Sequence, residues 1–89
     1  MLEHLDILIS GRVQGVAFRW SAKKKADQFC ITGFITNKTD GSVYIEAEGS
    51  TENLEKFACW YRRGPILAKI ERLEIKKADL KNFTNFEIK

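Results

Sequence analysis

Histidine and cysteine are scarce in this chain of 89 residues, which has one His and two Cys. Side chains so few and so scattered do not form a metal-binding cluster, and we expect neither a metal nor another cofactor. Neither Cys30 nor Cys59 begins the Cys-x5-Arg pattern of a thiol-dependent phosphatase, because Thr36 and Pro65 stand where the arginine is needed. Both thiols are predicted to be reduced and buried.

Long apolar runs are missing as well, since no stretch approaches the roughly 18 residues that cross a bilayer. The first residues lack the basic flank and long apolar core of a signal peptide. We therefore expect a cytoplasmic protein with no membrane segment. Hydrophobic residues make up 44% of the chain and charged residues 30%, which is typical of one small globular domain over residues 1–89. A monomer is expected, because no large exposed apolar stripe stands out.

The net charge of +3 is mildly basic and suits an anionic ligand, although the signal is weak. Residues 23–25 are three consecutive lysines that would spread over the exposed side of a helix. They form either a solvated face or a region that steers an anionic substrate or a nucleic acid electrostatically.

Hydrophobic periodicity predicts strands and helices in the order βαββαβ, followed by a short terminal strand. The strands are predicted at residues 5–10, 31–37, 42–48, about 70–78 and 85–88. The Asp40-Gly41 pair between the second and third strands is a hairpin signal. This order indicates an α+β, ferredoxin-like sandwich. Its four-stranded antiparallel sheet, with the short C-terminal strand added, carries two helices on one face.

The two predicted helices each have one apolar face. The first begins after the loop that ends near Phe18, and the second begins at Ser50 or Thr51, where a hydroxyl can cap it. Trp20 and Trp60 are predicted to be amphipathic packing residues of these helices rather than side chains that stack on a ligand.

The loop over residues 11–19, Gly-Arg-Val-Gln-Gly-Val-Ala-Phe-Arg, joins the first strand to the first helix. Such a loop can hold a phosphate: its N–H groups and the positive end of the helix face the anion, and Arg19 can grip two oxygens. It matches neither the P-loop nor the dinucleotide-binding pattern. Two glycines alone would equally suit a tight turn, but a cation at a helix start opposes the dipole unless an anion joins it.

Asn37 is the second candidate, at the end of the second strand. It is either a turn residue that bonds its own backbone or a carboxamide that holds a water. Spacing alone does not show whether it meets Arg19. We expect His4 to be exposed, with no role as a general base. The remaining acidic candidates are predicted to be turn and surface residues without a catalytic pair: Asp40, Glu46 and Glu48.

Two blocks together resemble the acylphosphatase family. Its signature has the form Gly-x-Val-Gln-Gly-Val-x-Phe-Arg, which residues 11–19 match. Its second block has the form Gly-aromatic-Val-x-Asn, then Gly-x-Val; residues 33–37 read Gly-Phe-Ile-Thr-Asn and residues 41–43 read Gly-Ser-Val. The resemblance extends over nearly the whole chain.

The resemblance implies an enzyme that hydrolyses the carboxyl–phosphate bond of small acyl phosphates, without a metal, and releases inorganic phosphate. By the family's pattern, Arg19 binds the phosphoryl group and Asn37 orients the attacking water. The backbone amides that would cradle the phosphoryl oxygens belong to Gly15, Val16, Ala17, Phe18 and Arg19.

This chain departs from the family's pattern at two positions, one inside the second block and one directly after Asn37. Thr36 stands where a basic residue is common, and Lys38 stands where some members have a hydroxyl. A hydroxyl is kept at Ser42. Neither departure removes the two principal groups.

Two other functions compete with hydrolysis. A catalytically silent module could bind phosphate or another anion through the same loop, although it would not need Asn37. A nucleic-acid-binding domain of the RNA-recognition type would need exposed aromatics in a Gly-Phe-Gly-Phe-like pattern, which is missing; Tyr44 is the one plausible exposed aromatic on the third strand. We therefore expect no nucleic acid as a partner.

Overall fold

Five strands and two helices follow one another in the predicted order in a computed structural model, which describes residues 1–89. They are β1 (Leu2–Arg12), α1 (Phe18–Gln28), β2 (Thr32–Asn37), β3 (Val43–Ser50), α2 (Thr51–Tyr61), β4 (Lys69–Ala78) and β5 (Phe86–Ile88). The predicted ferredoxin-like α+β class is confirmed. The main difference in length is at β1, which extends beyond the predicted residues 5–10 at both ends.

The strands form one sheet in the order β4-β1-β3-β2-β5. All neighbours are antiparallel except β2 and β5, which are parallel. The short terminal strand therefore completes a five-stranded mixed sheet. Because β1 and β2 both run antiparallel to β3, they run in the same direction. Asn37, the last residue of β2, therefore stands at the sheet end where β1 leads into α1.

Both helices pack on the face of the sheet formed by Ile7 on β1 and Ile45 on β3, which lie opposite each other. Alternation along each strand turns every second side chain toward this core. The Ser50 hydroxyl caps α2 by accepting a hydrogen bond from the Asn53 amide at 3.0 Å, as predicted. Trp60 packs beside Phe18, with the ring centroids 5.3 Å apart, so its predicted packing role is confirmed.

The opposite face of the sheet carries no helix, and residues 79–85, hereafter the crossing segment, run over it from one sheet edge to the other. His4 faces this side and is only 1% exposed, because the Phe83 ring stacks on it at 5.9 Å between centroids. The prediction that His4 is exposed is therefore wrong.

The His4 ring is surrounded by carboxylates. Its Nδ1 lies 2.7 Å from Glu48, and its Nε2 lies 2.9 Å from Asp6 and 3.3 Å from Glu46. Glu46 and Glu48 are buried, at 7% and 6% exposure, so their prediction as surface residues is also wrong. Alternation assigned them to the polar side of β3, but the crossing segment covers that side.

Gly11 has a structural role in the sheet. Its φ is +128°, and a Cβ there would lie 2.2 Å from the carbonyl oxygen of Lys69 on β4. The β1–β4 register shifts between Ser10 and Gly11. The first glycine of the motif is therefore required by close strand packing at a bulge.

Cys30 and Cys59 are both free, as predicted, but both are exposed, so the prediction of burial is wrong. Cys59 lies two positions beyond the buried Phe57 and thus off the apolar face of α2. Neither helix has the length and apolar character that crossing a bilayer requires.

Candidate active site

A cavity of about 230 Å³ opens where the β1–α1 loop (residues 13–17) meets the end of β2. It brings together Arg19 and Asn37, the two side chains that the sequence singled out but could not place next to each other. Its lining consists of Val13, Gly15, Ala17, Phe18, Arg19, Trp20, Asn37 and Ile88.

The β1–α1 loop turns through two residues of left-handed conformation, Gly15 with a φ of +73° and Ala17 with a φ of +62°. A Cβ on Gly15 would meet nothing within 4 Å, so only its backbone conformation favours glycine. Left-handed residues within a turn direct successive N–H groups to one concave side, which forms a site for anions.

The first turn of α1 is left uncapped by the chain itself. The residue before the helix is Ala17, whose side chain cannot accept a hydrogen bond, and the first turn has no acidic residue. In α2, by contrast, the Ser50 hydroxyl accepts a hydrogen bond from the Asn53 amide, and the acidic Glu52 stands in the first turn. The N–H groups at the start of α1 thus remain available, and Arg19 adds a full positive charge beside them.

Asn37 does not bond the turn that follows it. Its Oδ1 is buried and accepts no hydrogen bond, so the turn interpretation of this residue is wrong. The hairpin is closed instead by Asp40, which accepts hydrogen bonds from the Ser42 hydroxyl at 2.5 Å and the Ser42 amide at 2.9 Å. These two hydrogen bonds lower the pKa of the Asp40 carboxyl below its ordinary value, and the bond from the hydroxyl has the larger effect.

Gln14 joins the β1–α1 loop to this hairpin. Its Nε2 donates to the carbonyl oxygens of Lys38 at 2.8 Å and Ser42 at 2.9 Å. These bonds connect the loop that leads to Arg19 with the hairpin turn that follows Asn37. Sequence reasoning missed this role, although Gln14 lies inside the motif, between Val13 and Gly15.

Not every predicted site residue lines the cavity. The Val16 side chain packs against the core instead. The Lys38 ammonium lies over the Tyr44 ring, 5.6 Å from its centroid, and the Ser42 hydroxyl is engaged by Asp40. The hydroxyl kept at Ser42 therefore belongs to the hairpin.

Three cavity residues were missed, namely Val13, which lies inside the motif, Trp20 and Ile88. Trp20 is 59% exposed, so its prediction as a packing residue is wrong. It lies two positions from both Phe18 and Ala22, which is about 200° around the helix from these buried side chains. This spacing indicates an exposed side chain and could have identified Trp20 from the sequence. Ile88 could not be placed, because its position depends on the pairing of β5 with β2.

The sequence model of the acylphosphatase family matches residues 5–88. The chain is 42% identical over 84 residues to an acylphosphatase of Archaeoglobus fulgidus, covering 94% of each protein. It is 39% identical over 88 residues to one of Methylococcus capsulatus, covering 98% of this chain and 96% of that protein. The crystal structure of acylphosphatase from Bacillus subtilis matches with a TM-score of 0.94 at 32% identity, covering 99% of this chain and 98% of that chain.

Proposed function

This chain belongs to the acylphosphatase family, and we propose that it hydrolyses the carboxyl–phosphate bond of small acyl phosphates. Water oxygen attacks phosphorus, the bond from phosphorus to the acyl oxygen breaks, and the carboxylate leaves with the bonding electron pair. The products are a free carboxylate and inorganic phosphate. The observation that carries the proposal is that Arg19 and Asn37 share one cavity with the uncapped start of α1.

Arg19 and the amides of residues 15–19 bind the phosphoryl group in this proposal. A guanidinium can bind two phosphoryl oxygens at once, and the N–H groups of the loop and of the first helical turn can reach the third. Both kinds of donor are in place before the substrate arrives. They stabilise the negative charge on the transferring group without having to reorganise.

Asn37 positions the attacking water. Its buried Oδ1 has no hydrogen-bond donor in the protein, and a water can supply one. A water held in this way on the cavity wall is oriented for attack, and positioning of this kind accounts for much of the rate enhancement in hydrolytic enzymes.

The reaction needs no side chain that transfers protons. Arg19 is the one ionisable residue of the cavity lining. A carboxylate leaves readily without protonation, and the loose phosphoryl transition state depends mainly on position and charge. The proton of the water passes to a phosphoryl oxygen of the substrate. We propose that the reaction proceeds without a metal.

The test is phosphate release from acetyl phosphate in the presence of EDTA. We expect wild-type turnover to persist, and Arg19→Ala and Asn37→Ala each to lower kcat/KM by about a thousandfold, within the range for loss of one group that stabilises the transition state. Arg12→Ala is the matched control, because Arg12 is an exposed arginine at the end of β1. Its activity should stay within about threefold of wild type.

Two outcomes would contradict the proposal. Full activity in Arg19→Ala or in Asn37→Ala would show that the substituted residue does not take part in the reaction. Phosphate binding by the wild type with no hydrolysis of any acyl phosphate would instead identify a silent anion-binding module.

The partners in this proposal are small molecules, the acyl phosphate and the released phosphate. We further propose that the protein is a cytoplasmic monomer that binds no nucleic acid. Light scattering of the purified protein across a range of concentrations measures the oligomeric state.

A further inference from the structure

The cavity has an apolar part that the phosphoryl group does not use. Arg19, Asn37 and the loop amides account for its polar lining. The other lining side chains are apolar, and at about 230 Å³ the cavity is somewhat smaller than the roughly 300–1,000 Å³ of ordinary ligand pockets. A substrate held here by its phosphate thus leaves its acyl group at the rim.

Most of the apolar residues cannot recognise that group. Val13 and Phe18 are 1% and 2% exposed and belong to the core. Ala17 offers one methyl group. Ile88 pairs with Ile35, two residues before Asn37 on β2, and thus lies on the side from which the water attacks.

In-line displacement places the leaving group opposite the attacking water, so the acyl group points away from Asn37 and Ile88. The one large apolar side chain of the lining that remains is Trp20, at the start of α1. It directly follows Arg19 and exposes 59% of its surface.

The Trp20 indole is held in place by a cation. The Lys24 ammonium, one helical turn further on, lies over the ring, 4.5 Å from its centroid. This cation–π contact fixes the ring and covers one of its two faces. The rest of the exposed ring surface is available to a flat group.

We propose that Trp20 is the residue that recognises the acyl group, and that the preferred substrates are acyl phosphates with an aromatic acyl group. This inference rests on the proposed hydrolysis at the same site. A planar aromatic group stacks on an indole, whereas a methyl group gains little from it.

The test compares kcat/KM for benzoyl phosphate and acetyl phosphate. The benzoyl-to-acetyl ratio should fall by about five- to tenfold in Trp20→Ala and be largely retained in Trp20→Phe, as expected for loss of an aromatic pair. Ile88→Ala is the matched control, a second apolar lining residue whose truncation should leave the ratio unchanged. An unchanged ratio in Trp20→Ala, or an equal loss for both substrates, would overturn the assignment.

A second measurement separates this inference from the proposed reaction. Phenylphosphonate and methylphosphonate bind without being hydrolysed, and Trp20→Ala should weaken inhibition or binding by the phenyl compound alone. If the wild type hydrolyses neither acyl phosphate, the proposed function fails. The phosphonate comparison still decides in that case whether Trp20 recognises aromatic groups, and equal weakening for both compounds would refute it.

Discussion

Three residues of the site are each unfavourable to the stability of the free protein. Ala17 adopts a left-handed conformation that costs a residue with a Cβ about 1–2 kcal/mol. Arg19 places a positive charge at the positive end of a helix, and the Asn37 Oδ1 is buried without a donor. An acyl phosphate and its attacking water would relieve the last two directly. The binding site therefore lowers the folding stability of the free protein.

Ala17→Gly should stabilise the protein by about 0.5–1 kcal/mol, because glycine adopts the left-handed conformation without strain but adds some freedom to the unfolded chain. The free energy of unfolding in urea measures the change. Ala58→Gly is the control, since Ala58 lies inside α2 and glycine there should destabilise by about 1 kcal/mol. Destabilisation by both substitutions would show that Ala17 is not strained.

At the scale of elements, the site depends on how the β1–α1 loop and the β2–β3 hairpin are held together. Arg19 lies in the first turn of α1, directly after the loop, and Asn37 is the last residue of β2, directly before the hairpin turn. No strand pairing joins these two residues directly. Gln14 provides the connection through two carbonyl oxygens of the hairpin. Small changes in the separation of the two groups affect the rate strongly, because the reaction relies on positioning.

Gln14→Ala should therefore lower kcat for acetyl phosphate by about ten- to a hundredfold while the protein stays folded. The hydrogen bonds of Gln14 lie at an exposed to half-buried site, so their loss should cost less than about 1.5 kcal/mol of stability. Steady-state kinetics together with urea unfolding separate the two effects. Gln28→Ala, at the end of α1, should change neither. An unchanged kcat in Gln14→Ala would exclude the positioning role.

Elements and motifs were predictable because their signals are local. The apolar face of α2 and its Ser50 cap lie within one stretch of sequence, and so does the loop that ends at Arg19. Trp20 was misplaced for a different reason. The prediction that Trp20 packs in the core rested on its aromatic ring. Its position two residues after Phe18 places it on the exposed side of a helix instead.

At the scale of the whole molecule, two carboxylates fasten the crossing segment to the sheet. Glu46 pairs with the Lys81 ammonium at 2.7 Å, and Glu48 accepts from the backbone. Glu48 accepts hydrogen bonds from the Lys81 amide and, at 3.2 Å, from the Phe83 amide, as well as from His4. Burial alone would raise the pKa of Glu48, but these donors outweigh it and lower the pKa below its ordinary value of 4.5. The ionised carboxylate is therefore the form that holds the segment.

The protein should lose stability in acid, because a carboxyl with a lowered pKa in the folded state stabilises above its unfolded pKa and loses that contribution as the pH falls through its folded pKa. The free energy of unfolding should decline below about pH 4.5, and Glu48→Gln should flatten this decline. Urea unfolding between pH 3 and 7 measures both. Glu55→Gln, on the exposed side of α2, is the control, and its free energy of unfolding should depend on pH as that of the wild type does. A Glu48→Gln curve parallel to the wild type would contradict the role of Glu48.

The sequence could not predict this arrangement. His4, Glu48 and Phe83 are far apart in the chain, and their meeting depends on β4 and β5 lying at opposite edges of the sheet. Period-two alternation correctly separates the two faces of β1 and β3, but it does not show that a loop returns over the second face. The same long-range pairing explains why Ile88 could not be assigned to the cavity.

The two sheet edges also bear on how the protein resists aggregation. β4 is an edge strand whose outer backbone groups have no strand partner, and most of its side chains are charged and exposed. β5, at the other edge, has three residues. Charged side chains along one edge and a short strand at the other oppose the addition of a further strand from another molecule. An open sheet with edges of this kind disfavours fibril growth from the folded state.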